Sequence, residues 1–170
     1  MCMTNKKEVS IEEVSAFKIF TRDKDGLLQS SFIPTFKEGL KYTPNERIHV
    51  DVEDATFFAF EKINNAISIA RQGRKRWRFV EGGLIVLPVT LYDVVSTGSY
   101  FVRSEDSQCL DGYYPAFESK EIVVHDSEEN RNQFYDAIIQ HWYVLAKFSM
   151  SAIDKEALFS RFPHLSSITQ

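Results

Sequence analysis

The chain has 170 residues, of which 44% are hydrophobic and 26% charged, a composition typical of a folded globular domain and not of a disordered chain. Its formal net charge of −4 argues against a general nucleic-acid coat protein. The length predicts one domain, residues 1–170, with a core large enough to fold without a disulfide or a structural metal.

Cysteine usage and hydropathy predict where the protein resides. Cys2 and Cys109 form no CxxC pair and no disulfide framework, which favours a reducing compartment. The first residues lack the apolar stretch of a signal peptide, and the longest apolar run, Leu84–Val89, is far too short to cross a bilayer. We therefore expect a cytoplasmic protein without a membrane partner, and its oligomeric state stays open.

The first third of the chain predicts a hairpin. Residues 1–14 are polar and are expected to form a flexible lead-in. Ser15–Arg22 alternates in hydropathy and predicts a strand, and Leu27–Ile33 predicts the strand that returns. Between them, Asp23–Gly26 has turn chemistry in which the glycine can adopt a positive φ. Pro34–Asn45 contains glycine and proline and predicts a loop.

The middle of the chain predicts two short strands, a helix and then a longer strand region. The strands are Ile48–Val52 and Ala55–Phe60, and the helix is Glu61–Gln72, followed by a glycine suited to a C-cap. Further strands are predicted at Arg74–Glu81, Leu84–Val95, Ser99–Arg103 and Tyr113–Val124. Pro88 lacks a ladder donor, which predicts an edge or a bulge at that point.

The C-terminal part predicts two helices. The first spans Ser127–Phe148, with Asp126 as its N-cap and Glu129 completing a capping box. The second spans Ser151–Arg161. Their inward residues are expected to be Phe134, Ile138, Trp142, Leu145, Leu158 and Phe162. The order of elements predicts an α+β fold, with a mostly antiparallel twisted sheet on which one central helix and two C-terminal helices pack.

An asymmetry in charge marks the best candidate for a binding site. Residues 62–80 carry six basic side chains and no acidic one, while the rest of the chain sums to −10. If residues 74–79 are extended, alternate arginines project from one face about 6.8 Å apart, as fork-shaped donors suited to phosphates or carboxylates. The predicted binding residues are Arg71, Arg74, Lys75, Arg76 and Arg78. The alternative is that carboxylates of the chain itself, such as Asp93, Glu118 or Glu121, balance this charge.

Motifs for several other chemistries are missing from the sequence. The four histidines are widely separated and no HExxH or Cys/His spacing occurs, so we expect no metal site. Neither GxxxxGK[ST] nor GxGxxG occurs, and no GxSxG elbow surrounds a serine. We therefore favour a protein that is not an enzyme and that needs no cofactor.

Two resemblances add expectations of their own. From Phe17 onward the chain resembles small uncharacterised modules found in phages and bacteria, through the loop Tyr42-Thr43-Pro44, the aromatic strand Phe57-Phe58-Ala59-Phe60 and the inward Ala66 of the following helix. The layout of its strands also distantly resembles the sheet of ADP-ribosyltransferases. That family places an arginine at the end of its first strand, a small polar residue on a later strand and a glutamate at the start of a late one.

Arg22, Thr56 and Glu121 occur here in that order. The resemblance implies NAD as the ligand, with Arg22 holding its phosphates and Glu121 stabilising the developing ribosyl cation. The Ser-Thr-Ser signature of the family is absent, and Ser119 stands two residues before the glutamate where the family has Gln or Glu.

Three functions therefore follow from the sequence as hypotheses. The first is a non-catalytic binding or inhibitory protein that engages the phosphates of a protein, nucleic acid or nucleotide partner, or an acidic partner, through its arginines. The second is an enzyme of the ADP-ribosyltransferase type. The third is a structural or assembly protein whose oligomer buries part of its aromatic side chains. Aromatic residues make up 14% of the chain.

Overall fold

A computed structural model describes residues 3–30, 40–51, 53, 55–71, 82–102, 112–140 and 150–167. Within these ranges the chain forms an antiparallel sheet with helices packed on it, which confirms the predicted α+β class. The strands are β1 (Thr4–Arg22), β2 (Leu28–Ser30), β3 (Lys41–Tyr42), β4 (Arg47–His49), β5 (Phe57–Phe60), β6 (Gly83–Val102) and β7 (Gly112–Val124). The helices are α1 (Ile63–Arg71), α2 (Glu128–Ile139), α3 (Ala152–Arg161) and a 3₁₀ turn (Pro163–Ser167).

The longest strands of the sheet are bound on both edges. β6 pairs antiparallel with β1 on one edge and with β7 on the other, and β5 pairs with both β7 and β1, so that these four strands form a closed cycle of ladders. β2 continues the pairing along the end of β1, β3 lies outside β2, and β4 continues the pairing along β7. Ladder hydrogen bonds thus satisfy the backbone of the strands that form the core.

The first strand is longer than the sequence predicts. β1 begins at Thr4 and not at Ser15, and its first residues pair with the far end of β6, with Thr4 opposite Ser99. The expectation of a lead-in is therefore wrong for residues 4–14. Most of these side chains are exposed and the ladder shifts register twice here, so no regular alternation of apolar residues marks the strand.

The strand from Gly83 to Val102 is also continuous, although the sequence predicts two strands there. It contains a register shift between Val94 and Ser96, beside Asp93, which has a φ of 51°. The predicted edge or bulge is not observed at Pro88, because this residue pairs with β1 on one side and its carbonyl accepts from the N–H of His125 on the other. Its missing donor falls just past the end of the ladder with β7.

The hairpin turn forms as predicted. Gly26 has a φ of 83°, and its N–H donates to the carbonyl of Asp23. The Asp23 carboxylate accepts from the N–H groups of Asp25 and Leu27, each at 2.9 Å. These hydrogen bonds of the turn are therefore all formed between its own residues.

The core lies between the sheet and the helices. In α1 the predicted inward Ala66 is buried together with Ile67 and Ala70, and the predicted inward residues Phe134 and Ile138 of α2 are buried as well. Leu158 of α3 and the partly buried Phe162 after it join the same cluster, as predicted. Trp142 and Leu145, predicted to continue the apolar face of α2, lie outside the described residues.

The N-cap of α2 differs from the prediction by one residue. Ser127 is the N-cap, and its hydroxyl oxygen accepts from the N–H of Asn130 at 3.1 Å. Asp126 does not cap the helix because its carboxylate binds Arg131 at 2.6 Å and lies 3.5 Å from Arg22. Charged partners on α2 itself and on β1 thus engage the carboxylate that was predicted to cap the helix.

The start of β6 touches the start of α3, which makes Gly83 a sensitive position. A Cβ on Gly83 would lie 1.9 Å from the backbone N of Ser151 and 2.6 Å from the carbonyl carbon of Met150. We expect Gly83→Ala to lower the free energy of unfolding by about 1–3 kcal/mol, because backbone must move to admit the methyl group. Urea unfolding measures this, with Gly112→Ala as the control, whose Cβ would meet its nearest neighbour at 3.6 Å. An equal decrease in the free energy of unfolding for the two variants would contradict this close packing at Gly83.

Candidate functional site

The predicted Arg-rich segment, residues 71–79, joins α1 to β6. Arg71 ends α1, and its side chain and the whole of Arg74, Lys75, Arg76 and Arg78 lie outside the described residues. The extended conformation proposed for this segment therefore stays a prediction. The structure describes its two flanks, the end of α1 and the glycine pair that opens β6.

The C-terminal flank of the segment lies against the end of β1. Gly82 has a φ of 134°, and a Cβ there would lie 2.5 Å from Cγ2 of Thr21 and 2.6 Å from the carbonyl oxygen of Arg22. Only a residue without a side chain fits this close approach. Gly82 and Gly83 thus fix the point at which the chain enters β6, beside Arg22.

Two of the carboxylates that could balance the Arg-rich segment bind other side chains. Glu118 lies 2.8 Å from the Nζ of Lys6 and accepts from the hydroxyl of Ser96 at 2.8 Å. Glu121 binds Arg47, which also stacks on Tyr92 with its guanidinium carbon 3.9 Å from the ring centroid. The other oxygen of Glu121 lies 3.1 Å from His49. These contacts reduce the acidic charge left for the segment.

The residues of the enzymatic alternative do not share a cleft. Arg22 pairs with Gly83 of β6, and Glu121 pairs with Tyr92 of the same strand. Paired residues of an antiparallel ladder lie on one face, whereas residues an odd number of positions apart along a strand lie on opposite faces. Gly83 and Tyr92 are nine positions apart in a stretch without a register shift, so Arg22 and Glu121 lie on opposite faces of the sheet.

The third residue of that set lies near the glutamate and not near the arginine. Thr56 directly precedes β5, and β5 pairs with β7, the strand of Glu121. One NAD molecule held by Arg22 could not present its ribose to Glu121 across the sheet. The ADP-ribosyltransferase arrangement is therefore not formed by these residues.

The structure gives Arg22 a different environment, a buried polar cluster. Its side chain is 8% exposed, its Nε donates to Asp154 at 3.2 Å, and its Nη1 donates to the carbonyl of Gly26 at 3.0 Å. Arg22 lies at the end of β1 and binds both the hairpin turn and α3. It therefore connects parts of the chain that are distant in sequence. The Arg22 cluster consists of Arg22, Asp126, Arg131, Tyr135 and Asp154.

Asp154 is the most buried carboxylate of the cluster, with 1% of its surface exposed. Its Oδ1 accepts from the hydroxyl of Tyr135 at 2.7 Å, and its Oδ2 accepts from the hydroxyl of Ser151 at 2.6 Å and from Arg22. Burial and the bond to this carboxylate raise the pKa of the Tyr135 phenol well above its ordinary value. The phenol is thus a donor throughout the physiological pH range.

A cavity of about 540 Å³ opens beside the cluster, between α2 and α3. Three arginines line it, Arg22, Arg131 and Arg161, together with Tyr135 and Asp154 of the cluster. The apolar part of its wall comes from Ile153 and Ala157 of α3. We call this space the Arg22 cavity.

A second buried cation lies elsewhere in the sheet. Lys18 of β1 is buried, and its Nζ donates to the carbonyl of Phe58 at 2.8 Å. Burial lowers the pKa of Lys18 from 10.5 to about 8. No carboxylate in the described part of the chain forms a salt bridge with it, and it does not line the Arg22 cavity.

The sequence alone does not predict the Arg22 cluster, although one local signal for it exists. Ser151-x-x-Asp154 has the spacing of an N-cap and its N3 residue, and the two do form that cap. The spacing predicts the local hydrogen bonds but not the arginine, which is 132 residues away from Asp154.

Within the described ranges, no helix is long and apolar enough to cross a membrane. The same ranges contain no group of three or more His, Cys, Asp or Glu side chains arranged to hold a metal ion. No protein family, curated protein or solved structure matches the chain.

Proposed function

We propose that the protein is a non-catalytic binding or inhibitory protein that engages a phosphate-bearing or acidic partner through its Arg-rich segment. The observation that carries the proposal is the charge distribution, because residues 62–80 hold six basic side chains and no acidic one in a chain that otherwise sums to −10. Arg74, Arg76 and Arg78 donate to the partner, and Trp77 between them anchors the segment.

Two observations support a partner outside the chain. Like charges at this density destabilise a fold unless opposite charge compensates them. Glu118 and Glu121, two of the carboxylates that could do so, are bound to Lys6, Arg47 and His49. A guanidinium presents paired N–H donors that match phosphate and carboxylate oxygens, so either chemistry in a partner supplies the missing charge.

The test replaces all three arginines of the row, in the variant Arg74→Gln/Arg76→Gln/Arg78→Gln. Binding to inorganic polyphosphate and to poly-glutamate is measured by fluorescence anisotropy over a range of salt concentrations. We expect the affinity for one probe to fall at least tenfold, and the slope of log K against log salt to fall by about three, one for each lost contact. The probe that responds identifies the partner's chemistry.

A matched control removes the same charge elsewhere. Lys24, Lys41 and Lys155 are exposed and lie outside the Arg-rich segment, so the variant Lys24→Gln/Lys41→Gln/Lys155→Gln has the same net charge as the arginine variant. We expect it to bind like the wild type. Equal losses for both variants would show that net charge alone drives binding, and failure of the wild type to bind either probe would also refute the proposal.

A further inference from the structure

The outer edge of β1 has no neighbouring strand over its first half, within the part of the chain that the structure describes. β5 pairs with β1 only at Phe17, and β2 pairs with it only from Phe20 to Arg22. Residues 4–15 therefore pair with β6 alone, and we call them the β1 edge. The backbone N–H and C=O groups that point away from β6 along this edge are open to a further strand.

The β1 edge carries exposed charges that the described parts of the chain do not neutralise. Lys7, Glu12 and Glu13 are exposed, and none of them forms a salt bridge or a side-chain hydrogen bond within the described ranges. Lys6 differs, because its Nζ lies 2.8 Å from a carboxylate oxygen of Glu118. Three charges on the edge are thus available to a partner.

The order of the charges makes the β1 edge complementary to itself. Two lysines, Lys6 and Lys7, lie at one end and two glutamates, Glu12 and Glu13, at the other, on either side of residues 9–10. An antiparallel strand of the same sequence, centred on residues 9–10, brings the lysines of each copy beside the glutamates of the other. A parallel strand would set lysine against lysine and glutamate against glutamate, which is unfavourable.

This self-complementarity decides which partner the edge admits. Charged side chains on an edge strand oppose its pairing with most other strands, which would leave the charges without partners. A second copy in the antiparallel orientation satisfies them, and each ion pair that forms once forms twice, as in any two-fold contact. The two register shifts of β1 bend the strand, so the contact is short.

We propose that two copies of the chain associate through their β1 edges. The edges lie as antiparallel strands joined by backbone hydrogen bonds, and Lys7 of each copy pairs with Glu12 or Glu13 of the other. A contact of this size predicts a weak and reversible dimer. The inference does not rest on the Arg-rich segment, because none of the residues of that segment belongs to the β1 edge.

Sedimentation velocity over a range of protein concentrations tests the dimer. We expect the wild type to dimerise reversibly at concentrations up to about 1 mM. Lys7→Glu should weaken the dimer about tenfold or more, because it sets glutamate against glutamate across the contact. Lys24→Glu makes the same change in net charge at an exposed position of the hairpin turn and should leave the dimer unchanged. A wild type that stays monomeric, or equal dimerisation of the wild type and Lys7→Glu, would overturn the proposal.

A mixture of two charge variants tests the antiparallel orientation. Glu12→Lys/Glu13→Lys should dimerise as poorly as Lys7→Glu, because lysine then faces lysine. In an equimolar mixture of the two variants, opposite charges face each other at both ends of the contact, so a heterodimer of about wild-type affinity is expected. Its formation also shows that both variants are folded. A mixture that stays monomeric would contradict the pairing.

Amide hydrogen exchange at low and high protein concentration locates the contact. Exchange in residues 4–15 should slow as the dimer forms, because the new ladder protects the N–H groups of the edge. Arg74→Gln/Arg76→Gln/Arg78→Gln should give the wild-type result, which separates a failure of this proposal from a failure of the proposed function. Protection that is confined to other parts of the chain, or that disappears in this triple variant, would overturn the β1 edge as the interface.

Discussion

Replacing Asp154 with alanine is expected to lower the free energy of unfolding by about 3–5 kcal/mol, because it removes one partner of a buried ion pair and leaves the other charged. Arg22 would keep only its bond to Gly26 and a contact of 3.5 Å with Asp126. The hydroxyls of Tyr135 and Ser151 would lose the acceptor they share. The cap of α3 itself would remain, because Ser151 accepts from the backbone N–H of residue 154, which alanine keeps.

Urea unfolding of Asp154→Ala measures this loss, and Asp136→Ala is the matched control. Asp136 also pairs with an arginine, Arg161, at 3.0 Å through two hydrogen bonds, but its side chain is half exposed. Exposed pairs contribute about 0–1 kcal/mol, so the control should be only slightly destabilised. If the free energy of unfolding falls equally in the two variants, burial does not determine how much the Arg22 cluster contributes to stability.

The second large effect concerns Lys18 and depends on pH. In the unfolded chain this amine has its ordinary pKa of 10.5, whereas burial lowers the pKa in the folded protein to about 8. Between these values the unfolded chain holds a proton that the folded chain has released, so the stability of the fold rises with pH. Below about pH 8 both states are protonated and the folded protein carries the full cost of a buried charge.

We expect Lys18→Met to remove this dependence. Between pH 7 and pH 10 the free energy of unfolding of the wild type should rise relative to that of Lys18→Met by roughly 2–3 kcal/mol, the amount that the difference in pKa implies over that interval. Urea unfolding at both pH values measures it, with Lys155→Met on the exposed surface of α3 as the control. If the difference in free energy of unfolding between the wild type and Lys18→Met is the same at both pH values, the result would contradict the burial of a titrating amine.

The elements that sequence analysis predicted correctly are those with a local cause. The turn at Asp23–Gly26 needs only its own carboxylate and glycine, and α1 needs only apolar residues at helical spacing. Residues 4–14 were missed because a ladder with β6 holds them in the sheet while their side chains face solvent. Such a strand leaves no apolar pattern in the sequence.

The two candidate sites also differ in whether a local feature of the sequence predicts them. The Arg-rich segment is visible as a run of charge, a property of the sequence alone. The role of Arg22 is not, because Asp154 reaches it across 132 residues and Asp126 across 104. The order of Arg22 and Glu121 along the chain, which resembles that of ADP-ribosyltransferases, predicts that both residues lie in one site. The registers of the ladders instead place them on opposite faces of the sheet.

Modification of arginines by phenylglyoxal, mapped by mass spectrometry with and without a bound probe, tests the role of the Arg-rich segment most directly. The probe is inorganic polyphosphate or poly-glutamate, whichever the wild type binds. Binding should protect Arg74, Arg76 and Arg78 from modification and leave the exposed Arg47 and Arg161 as reactive as before. Undiminished modification of all three arginines in the saturated complex would contradict the proposed binding surface.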